Sequence, residues 1–596
     1  MTSSESLTEA LVKRFAESAD DIALIALGEG GPTATATATG ATTAAASAQQ
    51  LTYGELDRLA RSLAVWLQRS NESGRPVVIC MDTGPHFAVS VLGCLYAGAI
   101  AVPVPPPGIS RAAVERTAAI AEESGADLVL TEARLAPEVS RRLAGHGRGG
   151  LVCLAVDTGV RDSSPEDWRP PHLTGASVAL IQYTSGTTAA PRGVMVTHAN
   201  LLATMETIQR ALGTDRRSRI GGWLPLHHDL GLVGQLLHPL WLGATSVLMH
   251  PQQFLARPMD WLDAVDRYGI TVTAAPDSAY SRCLAVATDE DLDRLDLSRL
   301  DTAVNAAEPV SPVTMAAFAR RFARSGLRPG ALSPGYGLAE ATLLVSVAIG
   351  APADLRTVDA ASLERGLLLP VRPGSPARTL VGCGPVVGVE VRIVDPSSRA
   401  ELPDQEIGEI WVRGSAVASG YWKRRLETAD SFRQATATGE RGFLRTGDLG
   451  AVQDGRLYLT GRIKDVLLVD GRTLHPQEVE RQLLLCGSRF ASAAVFAVGG
   501  ELEHLVTVQE VRHAGGTPAE LATMVTQVRE CLAEEFGASA DGVVLVRPGT
   551  VRRTTSGKIR RSFMRELFLR GELRPLHAEL APGLASALAA PARERQ

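Results

Sequence analysis

Residues 183–198, with the sequence YTSGTTAAPRGVMVTH, have the clearest potential for chemistry. The segment follows the apolar run VALIQY, so it is predicted to be a loop at the end of a strand. Glycine at Gly186 and Gly193 lets backbone N–H groups approach an anion, hydroxyl groups can donate to phosphate oxygens, and Arg192 supplies a positive charge. The segment lacks the Gly-Lys-Ser/Thr ending of a Walker loop. We predict a phosphate-binding loop; the alternative is a hydroxyl-rich turn that caps the helix expected after Thr197.

Four further short motifs follow this loop in chain order. They are GYGLAE at 335–340, LRTGDLG at 444–450, LYLTGRIKD at 457–465 and TTSGKIRR at 554–561. The ordered set resembles the motifs of the adenylate-forming superfamily, which includes acyl-CoA synthetases, the adenylation domains of peptide synthetases, luciferases and fatty acyl-AMP ligases. The resemblance extends from about residue 51 to residue 561, which is most of the chain.

Longer segments resemble the fatty acyl-AMP ligase branch in particular. They are CLYAGAIAVPVPPP at 94–107, WLPLHHDLGLVGQLLHPLWLGA at 223–244, QQFLARPMDWLDAV at 252–265, NAAEPV at 305–310 and GLAEATLLVS at 337–346. In that branch an inserted segment lies between the equivalents of Glu340 and Cys383, and it is associated with poor use of free coenzyme A. We predict that residues 350–378 are this insertion; the alternative is a long surface loop of the kind that proteins tolerate.

The resemblance implies a role for each residue of the phosphate loop. Phosphate contacts are expected from Thr184, Ser185, Gly186, Thr187 and Thr188. The chain departs from the family pattern at two positions, with Ala189 where glycine is usual and Arg192 where lysine is usual. Arginine keeps the positive charge and can bind phosphate through two parallel hydrogen bonds, so we expect Arg192 to act in catalysis.

The later motifs are expected to form the nucleotide pocket. Tyr336 corresponds to the aromatic residue that lies against adenine, with a buried core tyrosine as the alternative. The residues that would shape the pocket around it are Ala307, Glu308, Gly335 and Gly337. Asp448 corresponds to the carboxylate that accepts both ribose hydroxyls, unless it is only a turn residue. Arg462 corresponds to a ribose or phosphate contact, and Lys464 to the hinge about which the C-terminal domain reorients.

Three further residues are expected to act on the reacting groups or to hold a metal ion. Glu340 corresponds to the acidic residue that binds Mg²⁺, and one carboxylate suffices for a hard cation that also binds ATP phosphates. His228 corresponds to a residue near the reacting carboxylate at the mouth of the acyl pocket, with a core histidine as the alternative. Lys558 corresponds to the lysine that stabilises negative charge during attack on the α-phosphorus, unless it belongs to a solvated basic helix start.

The resemblance therefore implies a two-step ligase with ATP and Mg²⁺ as cofactors. A carboxylic acid, expected to be a fatty acid, reacts with ATP to give an acyl adenylate and pyrophosphate. The acyl group then passes to the phosphopantetheine thiol of an acyl carrier protein, which is expected in trans because the chain lacks a Gly-x-Asp-Ser carrier signature. The alternatives are an acyl-CoA synthetase that uses free coenzyme A, an amino-acid-activating enzyme, and a catalytically weak homologue that binds nucleotide or carrier.

The elements that must position these residues alternate between strand and helix. Short apolar runs such as VVICM, DLVL and TSVLM alternate with amphipathic helices, one of which begins at a capping box of Thr52 and Glu55. The alternation predicts an α/β fold with mainly parallel sheets in a large N-terminal lobe of several subdomains, followed by a small mobile α+β C-terminal domain. We place the lobe at 1–461, the hinge at 462–465 and the C-terminal domain, with the catalytic lysine, at 466–596.

Two local predictions refine this outline. Residues 31–50 are rich in Ala, Thr and Gly without apolar periodicity, so we predict a surface loop there. Residues 461–472 (GRIKDVLLVDGR) are predicted to form a hairpin that turns at Asp470 and Gly471.

Composition excludes several classes of protein. The 596 residues have a formal net charge of −5 and no long basic block, which argues against a nucleic-acid partner. Residues 87–107 carry no charge, but they are rich in small residues and end in prolines, so we predict a buried helix leading into a strand and no stable membrane insertion. The seven scattered cysteines include no Cys-x-x-Cys pair, and we predict neither a disulfide framework nor a zinc site. The start of the sequence shows no signal-peptide pattern, so a cytoplasmic location is expected.

Overall fold

The computed structural model describes residues 5–28, 48–106, 111–147, 149–158, 163–184, 191–469, 472–499, 504–512, 516–553, 559–582 and 584. Its α-helices are α1 (Leu7–Glu17), α2 (Tyr53–Arg69), α3 (Pro85–Ala97), α4 (Arg111–Ser124), α5 (Ala136–Ala144), α6 (His198–Leu212), α7 (His238–Leu242), α8 (Pro251–Ala256), α9 (Met259–Arg267), α10 (Asp277–Val286), α11 (Asp289–Arg294), α12 (Pro312–Phe322), α13 (Ala360–Glu364), α14 (Arg425–Phe432), α15 (Pro476–Leu485), α16 (Pro518–Phe536) and α17 (Arg561–Leu569).

The strands alternate with these helices along the first part of the chain. They are β1 (Ile22–Ala26), β2 (Gln49–Thr52), β3 (Pro76–Cys80), β4 (Ile100–Val104), β5 (Leu128–Thr131), β6 (Val152–Ala155), β7 (Val178–Thr184), β8 (Arg192–Thr197), β9 (Arg219–Gly222), β10 (Thr245–Leu248), β11 (Val272–Ala275), β12 (Thr302–Asn305), β13 (Leu332–Gly337), β14 (Leu344–Val347), β15 (Leu355–Asp359), β16 (Ala377–Val381), β17 (Glu390–Val394), β18 (Gly408–Arg413), β19 (Gln434–Ala435), β20 (Arg441–Gln453), β21 (Arg456–Arg462), β22 (Leu467–Val469), β23 (Arg472–Leu474), β24 (Phe490–Val498), β25 (His504–Val511), β26 (Gly542–Val546) and β27 (His577–Leu580).

Two large sheets dominate the N-terminal lobe, and both are mainly parallel as predicted. The first has the strand order β14-β13-β12-β11-β9-β10-β1-β2, with antiparallel pairing only at its two edges. The second has the order β6-β5-β3-β4-β7-β8 and is parallel except for the β7–β8 hairpin. Helices cover these sheets, so the lobe has the predicted α/β architecture.

A third sheet in this lobe is antiparallel throughout. Its strands run β17-β18-β20-β19, and β21 pairs with β20. The register of β20 and β21 places Asp448 directly opposite Arg462. The pairing of β20 with β21 therefore places the TGD and GRIKD motifs next to each other within this sheet alone.

Two predicted elements of the lobe are confirmed. Helix α2 begins at the capping box of Thr52 and Glu55. Helix α3 is buried along almost its whole length and leads into β4, as the uncharged stretch predicted. Small residues are needed in α3 because a side chain at Gly93 would lie 2.6 Å from Leu63 of α2. None of the helices that the described residues form has both the length and the apolar character of a membrane span.

The predicted loop at 31–50 is corrected at its C-terminal end. Residues 31–47 lie outside the described residues, but Gln49 and Gln50 belong to strand β2. They pair antiparallel with β1 at the edge of the large sheet. Backbone hydrogen bonds hold these two exposed residues in the sheet. Because their side chains are polar, no apolar pattern in the sequence predicts a strand there.

The C-terminal region folds around strands and a core of its own. Strands β22 and β23 form the predicted hairpin, although its turn at Asp470 and Gly471 lies outside the described residues. Strands β24, β25, β26 and β27 form a sheet, and in the described part of the chain they pair only with one another. The apolar cluster beneath them includes Val479, Leu483 and Val525. The division at 462–465 stays a prediction.

The segment predicted to be an insertion is an ordered unit. Strands β15 and β16 pair antiparallel, and α13 lies between them. Arg378 of β16 pairs with Glu478 of α15 at 2.8 Å and with Glu535 of α16 at 3.3 Å, and its guanidinium group lies 4.8 Å from the ring centroid of Phe536. The segment thus contacts two helices of the C-terminal region.

The cysteine prediction is wrong for one pair. Cys486, at the C-terminal end of α15, is disulfide-bonded to Cys531 of α16. The two cysteines are 45 residues apart in sequence, and only the packing of α15 against α16 brings their Cα atoms to 6.4 Å. The remaining cysteines are free, namely Cys80, Cys94, Cys153, Cys283 and Cys383.

The disulfide can be tested by counting thiols. We expect a thiol-specific reagent to titrate five groups per chain in denaturant without reductant, because two of the seven cysteines are bonded to each other. After reduction of the same sample, seven groups should react. Seven reactive thiols before reduction would contradict the pairing.

Candidate active site

A continuous cavity of about 570 Å³ lies along one face of the eight-stranded sheet, which contains β11. At the carboxyl ends of the strands it is lined by Ala307 and Tyr336, and at the amino ends by Ile220 and Val272. Strand β11 lines it along its length, which corresponds to about 13 Å from Val272 to Pro276 at the usual rise of an extended strand. The hinge and the antiparallel sheet close the end at Tyr336.

A polar cluster lies at the carboxyl end of this cavity: Tyr336 and Arg462 line it, and the buried Asp448, which does not line it, contacts both. The Tyr336 hydroxyl donates to Asp448 Oδ2 at 2.7 Å, and Arg462 Nε lies 2.6 Å from Asp448 Oδ1. Asp448 and Tyr336 are buried, and the nearby Asp448 carboxylate holds the pKa of the Arg462 guanidinium above its ordinary value. Burial, together with that carboxylate, raises the pKa of Tyr336 well above its ordinary range. The three residues predicted to bind the nucleotide therefore form one hydrogen-bonded group.

The backbone around Tyr336 is tightly packed. A side chain at Gly337 would lie 1.7 Å from the carbonyl oxygen of Leu343, so only glycine fits there. Ala307 lines the cavity with a positive φ of 68°, a conformation that L side chains rarely adopt. Gly335 and Glu308 were predicted to shape the pocket, but neither lines the cavity.

Glu308 and Gly335 instead support the wall from behind. Glu308 Oε2 accepts a hydrogen bond from the backbone N–H of Ser278 at 2.9 Å, and burial raises the pKa of its carboxyl group. Gly335 lies within β13, paired with Val347 of β14. Their part in shaping the pocket stays a prediction, since neither residue is among those that line the cavity.

Glu340 lies on the cavity wall beside a residue that the sequence analysis missed. The Tyr421 hydroxyl donates to Glu340 Oε1 at 3.0 Å, and both residues line the cavity. A carboxylate oriented by one hydrogen bond retains free lone pairs, which suits a hard cation that takes its other ligands from phosphates and water. Glu340 therefore fits the predicted Mg²⁺ ligand. Within the described residues, no cluster of three or more acidic, histidine or cysteine side chains offers a self-sufficient metal site.

Arg192 also lines the cavity, where it pairs with Glu427 of α14. Its Nε atom lies 3.0 Å from Glu427 Oε2, and its guanidinium group lies 5.6 Å from the ring centroid of Tyr421. Glu427 also accepts from Arg424 at 2.7 Å. Glu427 and Tyr421 therefore hold Arg192, the predicted catalytic residue, close to Glu340, the predicted metal ligand.

His228 lines the cavity, and its position near the reacting carboxylate stays a prediction. Its neighbour His227 faces away from solvent. The burial of its ring holds the pKa of His227 well below its ordinary value, and the nearby His228 and Arg116 lower it further. Gln182 donates to the backbone carbonyl of His227 at 2.7 Å, which fixes the turn that carries both rings.

The predicted hinge forms the rim of the cavity. Lys464 lies in a short 3₁₀ turn, Ile463–Asp465, and lines the cavity. Asp465 accepts from Arg561 at 2.9 Å, and Arg561 also donates to the buried Glu480 at 2.6 Å. Arg561 belongs to the TTSGKIRR motif, so this motif is joined to the hinge.

Several predicted residues cannot be placed. Those outside the described residues are Ser185, Gly186, Thr187, Thr188 and Lys558. The backbone of Thr184 ends β7 and pairs with Arg192 of β8, and the phosphate loop lies between these two positions. Thr197 caps α6 through a capping box with Asn200. The helix-capping alternative is therefore correct for the C-terminal end of the motif, but it does not concern the loop.

Two buried supports were missed by the sequence analysis. Glu409 of β18 accepts from Arg445, Trp411 and the backbone N–H of Gly447 at 2.8–3.1 Å, which anchors the TGD turn. Tyr421 was missed because it lies 81 residues from its partner Glu340. A Glu-x-Trp sequence in a strand gives no signal of such a role, because the partners Arg445 and Gly447 come from another strand, β20.

Comparison with known proteins agrees with the motifs. The family model for AMP-binding enzymes matches residues 32–422. A medium-chain-fatty-acid–[acyl-carrier-protein] ligase, JamA, from Moorena producens is 38% identical over 88% of this chain and 90% of its own length. A long-chain-fatty-acid–AMP ligase, FadD23, from Mycobacterium tuberculosis is 34% identical over 89% of this chain and 93% of its own.

Solved structures agree as well. The fatty acyl-adenylate ligase of L. pneumophila, crystallised with acyl adenylate and pyrophosphate, matches 96% of this chain and 98% of its own with a TM-score of 0.72 and 29% identity. The resemblance drawn from the motifs is therefore confirmed. The chain belongs to the AMP-binding enzyme family and is a ligase within it.

Proposed function

We propose that this chain activates a fatty acid with ATP and delivers the acyl group to an acyl carrier protein. In the first step a carboxylate oxygen bonds to the α-phosphorus, and the bond from that phosphorus to pyrophosphate breaks, which gives an acyl adenylate. In the second step the thiol of a carrier's phosphopantetheine displaces AMP. The observation that carries the proposal is one cavity with the Tyr336–Asp448–Arg462 cluster at one end and apolar strands at the other.

The polar cluster provides the nucleotide site in this proposal. Asp448 already accepts one hydrogen bond on each oxygen, and each oxygen keeps a lone pair for a ribose hydroxyl. The Tyr336 ring is held by its hydroxyl and presents a flat apolar face to the base. Glu340 would hold Mg²⁺, which neutralises phosphate charge when bound, and Arg192 lies close enough to share the same phosphates.

Lys558 is proposed to reach the reacting atoms from the C-terminal region. Two observations support this: Ile559, the next residue, lines the cavity, and Arg561 is tied to the hinge through Asp465. An ammonium group placed between the carboxylate and the departing pyrophosphate would stabilise the charge that grows in the transition state. The hinge at 462–465 would then move the C-terminal domain so that the thiol can approach.

The proposed acceptor is a separate acyl carrier protein rather than free coenzyme A. JamA, a relative over most of both chains, is named for this acceptor. The segment 350–378, proposed as the branch-specific insertion, pairs with α15 and α16 through Arg378, so it is placed to influence the C-terminal domain during the second step.

Replacing Lys558 tests the first step. We expect Lys558→Ala to lower ATP–pyrophosphate exchange with a fatty acid by at least about 100-fold, because one transition-state charge contact is lost. Lys13→Ala, on α1, provides the matched control and should exchange at the wild-type rate. Unchanged exchange in Lys558→Ala would remove the catalytic role from this residue.

Replacing Tyr336 and Asp448 tests the nucleotide site. Tyr336→Phe removes one hydrogen bond to Asp448 and should weaken binding of a non-hydrolysable ATP analogue about tenfold, whereas Asp448→Asn should weaken it further because Arg462 loses its ion pair. Calorimetric titration measures both. Tyr458→Phe also removes a hydroxyl bonded to an aspartate, Asp354, but far from the cavity. Equal effects of the two tyrosine variants would contradict the assignment.

The acceptor is tested by comparing two thiols. With the adenylate formed in place, we expect thioester to accumulate on a phosphopantetheinylated carrier protein at least about tenfold faster than on coenzyme A at equal concentration, because a protein partner adds contacts outside the thiol arm. Intact-protein mass spectrometry follows the carrier, and chromatography follows acyl-CoA. Faster transfer to coenzyme A would favour the acyl-CoA synthetase alternative.

A further inference from the structure

Gln235 places an unpaired polar atom in the middle of the apolar part of the cavity. Its side chain is 1% exposed, and it lines the cavity. Nε2 donates to the backbone carbonyl of Ala274 at 3.4 Å, but Oε1 has no hydrogen-bond partner. A buried carboxamide oxygen without a partner is costly, so such atoms usually meet a donor from a ligand or water.

A local irregularity of the helix brings Gln235 to this position. Residues Leu230–Leu237 form a π-helix, in which the N–H of His238 bonds to the carbonyl of Val233. Wide helical turns of this kind are rare and are frequently found at functional sites. The helix packs closely against the preceding turn. A side chain at Gly231 would therefore lie 2.3 Å from the carbonyl oxygen of Pro225.

The depth of Gln235 in the cavity follows from its partners on the sheet. Ala274 lies midway along the part of β11 that lines the cavity, and a side chain at Gly222 of β9 would lie 2.8 Å from Gln235 Nε2. Beyond this level the wall includes the apolar side chains of Ile208, Leu212, Ile220 and Val272. Gln235 therefore lies beside the middle of an acyl chain and not at its carboxylate.

A second unpaired polar group lines the same cavity. The indole Nε1 of Trp223 is buried without a hydrogen-bond partner, while its ring stacks on Phe254 at a centroid distance of 3.9 Å. Other buried indoles of this chain do have partners: Trp261 donates to Thr273 at 3.1 Å, and Trp411 to Glu409 at 2.9 Å. Three further lining residues, Gln182, Tyr183 and His238, also have a buried polar atom without a hydrogen-bond partner, so the wall offers several unused donors and acceptors.

We propose that the acyl substrate carries a hydroxyl group near the middle of its chain and that Gln235 selects it by accepting a hydrogen bond on Oε1. A hydroxyl can donate to Gln235 Oε1 and still accept a hydrogen bond from another group of the wall. A keto group only accepts, and a methylene group does neither. The inference rests on the proposed function, because it takes the apolar part of the cavity as the acyl site.

The test compares acids that differ only in one hydroxyl. Acyl-adenylate formation is measured as kcat/KM for decanoic acid and for a series of monohydroxydecanoic acids in which the hydroxyl moves along the chain. We expect one isomer, or two adjacent ones, with a mid-chain hydroxyl to exceed decanoic acid about tenfold, mainly through a lower KM, since a buried acceptor left unpaired costs about one such factor. The matching oxodecanoic acid should show no such gain.

Gln235→Met and a matched variant decide the role of the residue. Methionine has a similar length without the amide, so Gln235→Met should abolish the preference by raising the kcat/KM of decanoic acid and lowering that of the preferred isomer. Gln453 of β20 is also a buried glutamine with an unpartnered Oε1, and it does not line the cavity. Gln453→Met should therefore keep the wild-type preference.

The outcomes separate this inference from the proposed function. Adenylate formation from many acids without any isomer preference in the wild-type enzyme would overturn the inference and leave the proposed function intact. A preference that survives in Gln235→Met would assign selectivity to another residue and equally overturn it. Failure to form an adenylate from every acid would overturn the proposed function, and the inference with it.

Discussion

The rest of the structure depends on the buried carboxylate of Asp448. It lies within β20 of the antiparallel sheet, pairs with Arg462 on the neighbouring strand β21 and accepts a hydrogen bond from the hydroxyl of Tyr336 in β13 of the eight-stranded sheet. A buried carboxylate must be paired or hydrogen-bonded, because water no longer solvates it. The contact with Tyr336 therefore joins the two sheets, and the contact with Arg462 joins two neighbouring strands within one of them. These contacts also fix the start of the hinge, because Arg462 is the last residue of β21.

The predicted hinge continues the same series of charged contacts into the C-terminal region. Asp465 accepts from Arg561, and Arg561 is held by Glu480, a buried residue of α15. The segment around β15 and β16 makes a second connection through Arg378, which contacts α15 and α16. Ion pairs of this kind have directional geometry but cover little apolar surface. They can therefore hold a domain in one orientation without committing it to a permanent interface.

The cavity combines two kinds of wall because two kinds of element build it. Its polar end comes from strand termini and turns, where backbone groups and charged side chains converge. Its apolar end lies across the face of the large sheet, beneath the π-helix Leu230–Leu237, where strands such as β11 present small and apolar residues. Gln235 is an exception on that apolar wall, and it is there because the π-helix turns its side chain toward the sheet. The architecture thus provides one region of the cavity for the charged part of a substrate and another for its uncharged part.

Sequence patterns alone predict the α/β class, the hairpin at β22 and β23, the buried helix α3 and the membership of the family, because each depends on local periodicity, turn residues or the order of motifs. They also identify Tyr336, Glu340, Asp448 and Arg462 as members of one site. Three relations become visible only in the folded chain: Tyr421 supports Glu340, Cys486 bonds to Cys531, and Glu308 and Gly335 are not among the residues that line the cavity. Those relations join residues far apart in the chain, and their geometry depends on how helices and sheets pack, which no local pattern records.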